Sequence, residues 1–178
     1  MVLNLKNLED KEIRKLMLKE VNKDITNEII YLSKRLEDSK KEIYIELLKK
    51  ATESGNADTL AAEILNKSCL KQVMPRRTPS GGMILARVPR GANLTLAEGE
   101  FNRFYLRGIC LKAISDGKKI EVYRAKEVLN PRIESQKLIG KIVSPDKLLE
   151  DLRKNIGLDT ALGLPKGPNS GLSGKLIN

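Results

Sequence analysis

The sequence predicts an α+β fold that is mostly helical: an N-terminal helical unit, then a long central helix packed on a small sheet, then an extended C-terminal tail. Three observations carry this. Apolar residues recur at three- and four-residue spacing through much of the first 72 residues. One long segment, from Thr95 to Ile114, gathers Phe101, Phe104 and Tyr105 behind a helix-start signal. Directly after it, Lys119 to Lys126 alternates charged and apolar residues for most of its length, the period of a half-exposed strand. With 178 residues, 40% of them hydrophobic, the chain holds one ordinary domain, or one small domain with a helical appendage. Aromatics are 3% and Trp is absent, so the core rests on Leu, Ile, Val and Ala.

Four segments follow in order. Residues 1–72 form the helical unit. Its first helix is expected over 8–24, with Ile13, Leu16, Met17 and Val21 on the apolar side and Asn7 as N-cap. The run Glu28 to Leu32 is too short to separate a strand from a helix continuation. A second helix is expected over 39–54, with Ile43, Leu47, Leu48 and Ala51 on one side and Gly55 as its stop. A third, over 58–71, opens at Asp58.

Residues 73–92 read as a basic linker or arm. Two prolines, two glycines and two arginines fall within the nine residues from Met74 to Gly82. Met83 to Val88 is a strand candidate closed by Pro89 and Gly91.

Residues 93–156 form the α+β core. Thr95-Leu96-Ala97-Glu98 has the form of a capping box, Leu94 is placed for a hydrophobic staple, and the helix should stop at Gly117. Gly108 inside that helix costs up to about 1 kcal/mol of propensity, which points to a neighbouring backbone in close contact. After the 119–126 strand comes a proline-initiated segment over 131–142. Ser144-Pro145-Asp146 then opens a short helix with Leu148, Leu149 and Leu152 on one face. Residues 157–178, rich in Gly and Pro, cannot build a core alone. Leu162, Leu164, Leu172 and Leu176 are spaced along them like anchors, marking either an assembly arm that docks on a neighbouring subunit or a frayed terminus.

The formal charge is +10, and its distribution is uneven. Residues 1–72 hold 14 Lys and Arg against 13 Asp and Glu, whereas residues 73–178 hold 19 against 10. Arg76, Arg77, Arg87 and Arg90 lie on the arm, and Arg103 and Arg107 stand four apart on one face of the central helix. These six are the candidate nucleic-acid-binding residues, able to neutralise phosphates without reading sequence. For Arg103 and Arg107 the alternative is pairing with Glu100, or with acids elsewhere in the fold or on another subunit. No zinc finger, RNP motif or helix-turn-helix pattern is present.

Much chemistry is excluded. The chain has no His and only two Cys, which removes Ser-His-Asp and Cys-His machinery and Cys/His zinc sites. Cys69 and Cys110 are expected as reduced, buried thiols. Glu98, Glu100 and Glu121 leave a metal-dependent nuclease as a third reading. The Asp/Glu-x-Lys spacing such enzymes use is missing, because Tyr123 stands two residues beyond Glu121. The glycine-rich Gly167 to Lys175 fails the spacing of a phosphate loop. No cofactor and no metal site is implied. The opening residues carry no apolar leader, and no run approaches the about 20 apolar residues of a membrane span, so the expected location is cytoplasmic, without membrane contact.

The string Leu96 to Cys110, with Val122 to Lys126, Asn130-Pro131-Arg132 and the ending Ala161 to Ser173, resembles a family of uncharacterised proteins from bacteria and their phages. The resemblance covers about residues 92–173 and assigns no activity and no functional residue. A phage origin would imply a place in the virion, at the head or head–tail junction. The leading expectation is therefore a structural component of a nucleoprotein assembly, whose partners are its own copies or other subunits together with DNA or RNA. The alternative is a cytosolic, sequence-nonspecific DNA- or RNA-binding accessory protein.

Overall fold

In the computed structural model, which describes residues 3–157 and 170–178, helix α1 (Lys11–Thr26) begins where Asp10 accepts a hydrogen bond from the Glu12 amide at 2.8 Å. Asn7, the expected cap, does other work. Its side-chain oxygen accepts from the Leu176 amide at 3.0 Å and its own amide donates to the Tyr105 hydroxyl at 3.2 Å. It ties the segment ahead of α1 to both the central helix and the final strand. Residues 28–32 are neither strand nor helix. Helix α2 (Lys41–Ser54) follows a single 3-10 turn and stops at Gly55 as expected. Helix α3 (Ala57–Asn66) is capped by Asn56 rather than Asp58, and is shorter than expected. The Asn56 side chain accepts from the Thr59 amide at 2.8 Å while the Thr59 hydroxyl accepts from the Asn56 amide at 2.9 Å.

Strands β1 (Val73–Arg77) and β2 (Met83–Arg87) pair antiparallel as a hairpin. Helix α4 (Ala92–Asp116) starts three residues before Thr95, because Gly91 takes a left-handed turn (φ 79°) that launches the helix directly. Thr95 consequently lies within the first turn and its hydroxyl donates back to the Gly91 carbonyl at 3.2 Å, so no capping box forms with Glu98. Gly117, also left-handed (φ 65°), ends the helix.

Helix α4 is the centre of the molecule, packed against α1, α2, α3, α6 (Pro145–Lys154) and the larger sheet. The close approach predicted at Gly108 is with α1: a Cβ there would lie 3.1 Å from the Ile13 carbonyl oxygen and 2.9 Å from Met17 Cγ. That sheet has β3 (Lys119–Arg124) in the middle, with β4 (Ile142–Val143) and β5 (Leu172–Ile177) antiparallel on its two edges. Ile120 and Val122 of β3 are fully buried. A four-residue helix, α5 (Ile133–Gln136), precedes β4. Ser144 caps α6 with Pro145 in its first turn, as the sequence predicts.

Two expectations change. Leu172 and Leu176 do not form an arm reaching out to a neighbour; they sit in β5, opposite Arg124 and Ile120 of the same chain. The open edge of β3 presents unpaired amides and carbonyls, and the chain's own end satisfies them. Gly174 makes the fit possible, since a Cβ there would come within 2.7 Å of Ile120 Cγ2. Leu162 and Leu164 lie outside the described residues. Nor are residues 1–72 and 93–156 separate packing units. Ile13 and Met17 of α1, Leu48 of α2, Ile64 of α3, Phe104 and Ile109 of α4, and Leu152 of α6 belong to one continuous core. Each such side chain contributes about 1.5–3 kcal/mol on burial. Cys69 and Cys110 are buried free thiols. No helix among the described residues is long and apolar enough to cross a membrane.

Candidate nucleic-acid interface

The stretch from Val73 to Arg87 is an anchored arm rather than a slack linker. At its base the Val88 amide donates to the Gln72 carbonyl (2.9 Å), the Lys71 amide to Arg35 (2.8 Å) and the Glu37 amide to Cys69 (2.9 Å). A bridge between Leu36 and Leu70, with Leu36 fully buried, fastens this base to the helical unit. At the tip the Thr78 amide donates to the Gly82 carbonyl at 2.8 Å and the Gly81 amide to the Thr78 carbonyl at 3.0 Å, with Gly81 in the left-handed region (φ 88°) that glycine tolerates.

Pairing divides the ribbon into two faces. Val73 stands opposite Arg87, Pro75 opposite Leu85 and Arg77 opposite Met83 on one face; Met74 with Ala86 and Arg76 with Ile84 form the other. On the first face Leu85 is 73% and Met83 65% exposed; on the other Met74 and Ala86 are half-buried and Ile84 is 51% exposed. Arg76, Arg77, Arg87 and Arg90 are all exposed, and no hydrogen bond or ion pair engages their side chains among the described residues. The chain has no Asp or Glu between Glu63 and Glu98, so the arm carries no acid of its own.

Arg103 and Arg107 belong elsewhere. Both are buried, and the expectation that they face a polyanion is corrected by their partners. Arg107 forms a two-pronged pair with Asp24 (Nη1–Oδ2 2.6 Å, Nη2–Oδ1 2.7 Å) and its Nε donates to Glu20 at 2.7 Å. Arg153 of α6 closes on the other side of Glu20 with bonds of 2.9 and 2.6 Å. Burial works to lower the Arg107 pKa, but Asp24 and Glu20 raise it overall. Burial likewise works to raise Glu20, and the hydrogen bonds and charges of Arg153 and Arg107 hold it below the usual carboxylate range. Arg103 pairs with Glu100 one turn away, and both guanidinium groups lie over the Phe104 ring, at 5.1 and 4.9 Å. Burial pushes Glu100 up to about 7 despite the opposing charge of Arg103. The network bolts α1, α4 and α6 together. Its acids were the part missed on reading the sequence, yet a signal existed: Glu20 and Asp24 continue the stripe of Ile13, Met17 and Val21 at helical spacing.

The three carboxylates of the nuclease reading are not brought together. Glu98 pairs with Lys126, Glu100 with Arg103, and Glu121 with Lys175 at 3.1 Å. No group of three His, Cys, Asp or Glu side chains among the described residues is arranged to hold a metal. Leu172 and Leu176 serve the core sheet, as described above. Of the predicted binding residues, the structure therefore groups Arg76, Arg77, Arg87 and Arg90 on and beside one exposed ribbon and withdraws Arg103 and Arg107 into the interior. Comparisons with protein-family models, with curated proteins and with solved structures find no match to this chain.

Proposed function

We propose that the protein is a non-catalytic, nucleic-acid-contacting component of a nucleoprotein assembly, and that the β1–β2 arm is its contact element. The observation that carries this reading is the set of four exposed, unpaired arginines on and beside a ribbon that has no acid for 34 residues around it. Elsewhere part of the basic set is matched inside the fold: Arg107, Arg153, Lys112, Lys126 and Lys175 all have carboxylate partners. An acid-free cluster of arginines on one anchored projection suits a phosphate backbone, which is bound through counterion release and without base contacts. A place in a phage virion follows the same reading, since such an assembly packs protein against nucleic acid. A cytosolic accessory protein would use the same arm; its distinguishing property is a monomer or dimer that binds alone.

The test is fluorescence anisotropy of a labelled duplex titrated with the full-length chain across a salt series. Light scattering on the same samples reports assembly. The full chain is required, because β5 is part of the folded core and a truncation would remove it. Binding that weakens steeply with salt, and loses about one unit of salt slope per arginine replaced by Ala on the arm, supports the reading. Absence of binding at low ionic strength would falsify it. Growth into defined oligomers favours the assembly; a monomer that binds alike favours the accessory protein.

A further inference from the structure

The face of the arm that presents Arg77 and Arg87 also exposes Met83, Leu85, Pro75 and Val73, and a simple phosphate contact has no need of these apolar groups. Left in water, Leu85 and Met83 at 73% and 65% exposure forgo their hydrophobic gain. The choice of occupant is set by chemistry. Single-stranded nucleic acid is held by stacking on aromatic rings, and residues 72–91 contain none. A second copy meeting this face symmetrically would set arginines against arginines with no acid to relieve them. Major-groove reading of mixed sequences uses Asn, Gln, Asp or Glu beside Arg, and neither strand carries any of these. What remains is a ribbon of Arg, Met, Leu and Pro. Arginine is drawn to the strong negative potential of a narrow minor groove, and Met, Leu, Ile and Pro are the side chains that wedge between base steps there.

Resting on the reading above, we propose that the β1–β2 arm lies in the minor groove of duplex DNA and bends it, with Met83 and Leu85 as the wedge and Arg77 and Arg87 holding the phosphates on either side. The two arginines sit at opposite ends of the face, four residues apart in register, or about 13 Å at the usual rise per residue. That separation straddles a minor groove about 6 Å wide. The hydrogen-bonded tip and the clamped base hold the ribbon in shape before it meets DNA, so little ordering is needed on binding.

The experiment uses a duplex of roughly 30 base pairs carrying a donor and an acceptor dye at its ends, the full-length chain, and the double variant M83S/L85S. Both substituted side chains are solvent-exposed, so the fold is undisturbed. The native chain should shorten the end-to-end distance as a bend of about 20–90° does. M83S/L85S should keep the salt slope, which the arginines set, while losing the shortening, and a duplex of RNA should bind without bending, because its minor groove is already wide and shallow. Binding by the native chain with no change in end-to-end distance, or equal bending by M83S/L85S, would overturn the wedge while leaving the proposed function in place. If light scattering shows that M83S/L85S dissolves an oligomer of the native chain and bending is unaffected, the face belongs to a protein contact and the inference fails. Failure of the native chain to bind any duplex at low salt would remove the underlying function as well.

Discussion

Arg107 and Arg77 are the same residue type in the same basic half of the chain, and their fates are opposite. Arg107 is fully buried, with Asp24 and Glu20 taking up its donors; Arg77 is exposed on a ribbon without an acid. The difference lies in what each backbone element faces. Helix α4 is surrounded by other helices, and any charge on it must be paired inside the fold or forfeit its hydration. Among the described residues the main packing of the hairpin is between its own two strands, so its arginines keep their water. A count of positive charge therefore overstates the binding surface until the internally matched cations are set aside.

That contrast can be broken most forcefully at Arg107. Arg107→Ala leaves Asp24 and much of Glu20's environment as uncompensated buried charge and should cost about 3–5 kcal/mol, read as a lowered urea midpoint. A loss below about 1 kcal/mol would mean that the pair is solvated and that the two sets of arginines differ less than their burial indicates. Next comes the packing that brings α1 within reach. Gly108→Ala gains helix propensity, yet its methyl would press on Ile13 and Met17 of α1, and a net destabilisation of about 1–3 kcal/mol is expected by thermal unfolding. A stabilised variant would show that α1 and α4 have room to separate.

Glu100 sharpens the comparison through pH. Its folded pKa, about 7, lies above the ordinary 4.5, so between these values the folded chain holds a proton that the unfolded chain has released. The stability this group contributes is complete below about 4.5 and disappears as pH rises through 7. Glu100→Gln should flatten that slope between pH 4.5 and 7 in a urea-midpoint series, and an unchanged slope would locate the titration elsewhere. The smallest effect on stability is expected from replacing Arg76, Arg77, Arg87 and Arg90 together by Ala. The unfolding midpoint should stay within about 0.5 kcal/mol for each exposed site while nucleic-acid binding is lost. A large destabilisation would place these residues in the fold rather than on its surface.

Several elements are legible in the sequence. Ser144-Pro145-Asp146 opened α6, Gly55 and Gly117 closed α2 and α4, and Gly108 announced a close helix neighbour. Errors clustered where a local signal had a rival. Thr95 matched a cap, but Gly91 could turn the chain earlier. Asn7 matched a cap too, yet its amide and side chain were worth more as links to Tyr105 and Leu176. The arginines of the proposed interface were visible in the sequence, whereas its apolar face was not, because register alone decides which residues of β1 and β2 stand together.

The sequence by itself determined the helical and strand periods, the absence of histidine chemistry, and the concentration of positive charge after residue 72. These follow from composition and from spacing along the chain, which no fold can alter. Only the tertiary structure decided which arginines meet acids and which meet solvent, and that the final strand completes its own sheet. Both outcomes depend on contacts between residues about 50 to 170 positions apart, and the energy of such a contact exists only once the elements that carry its two halves have been packed together.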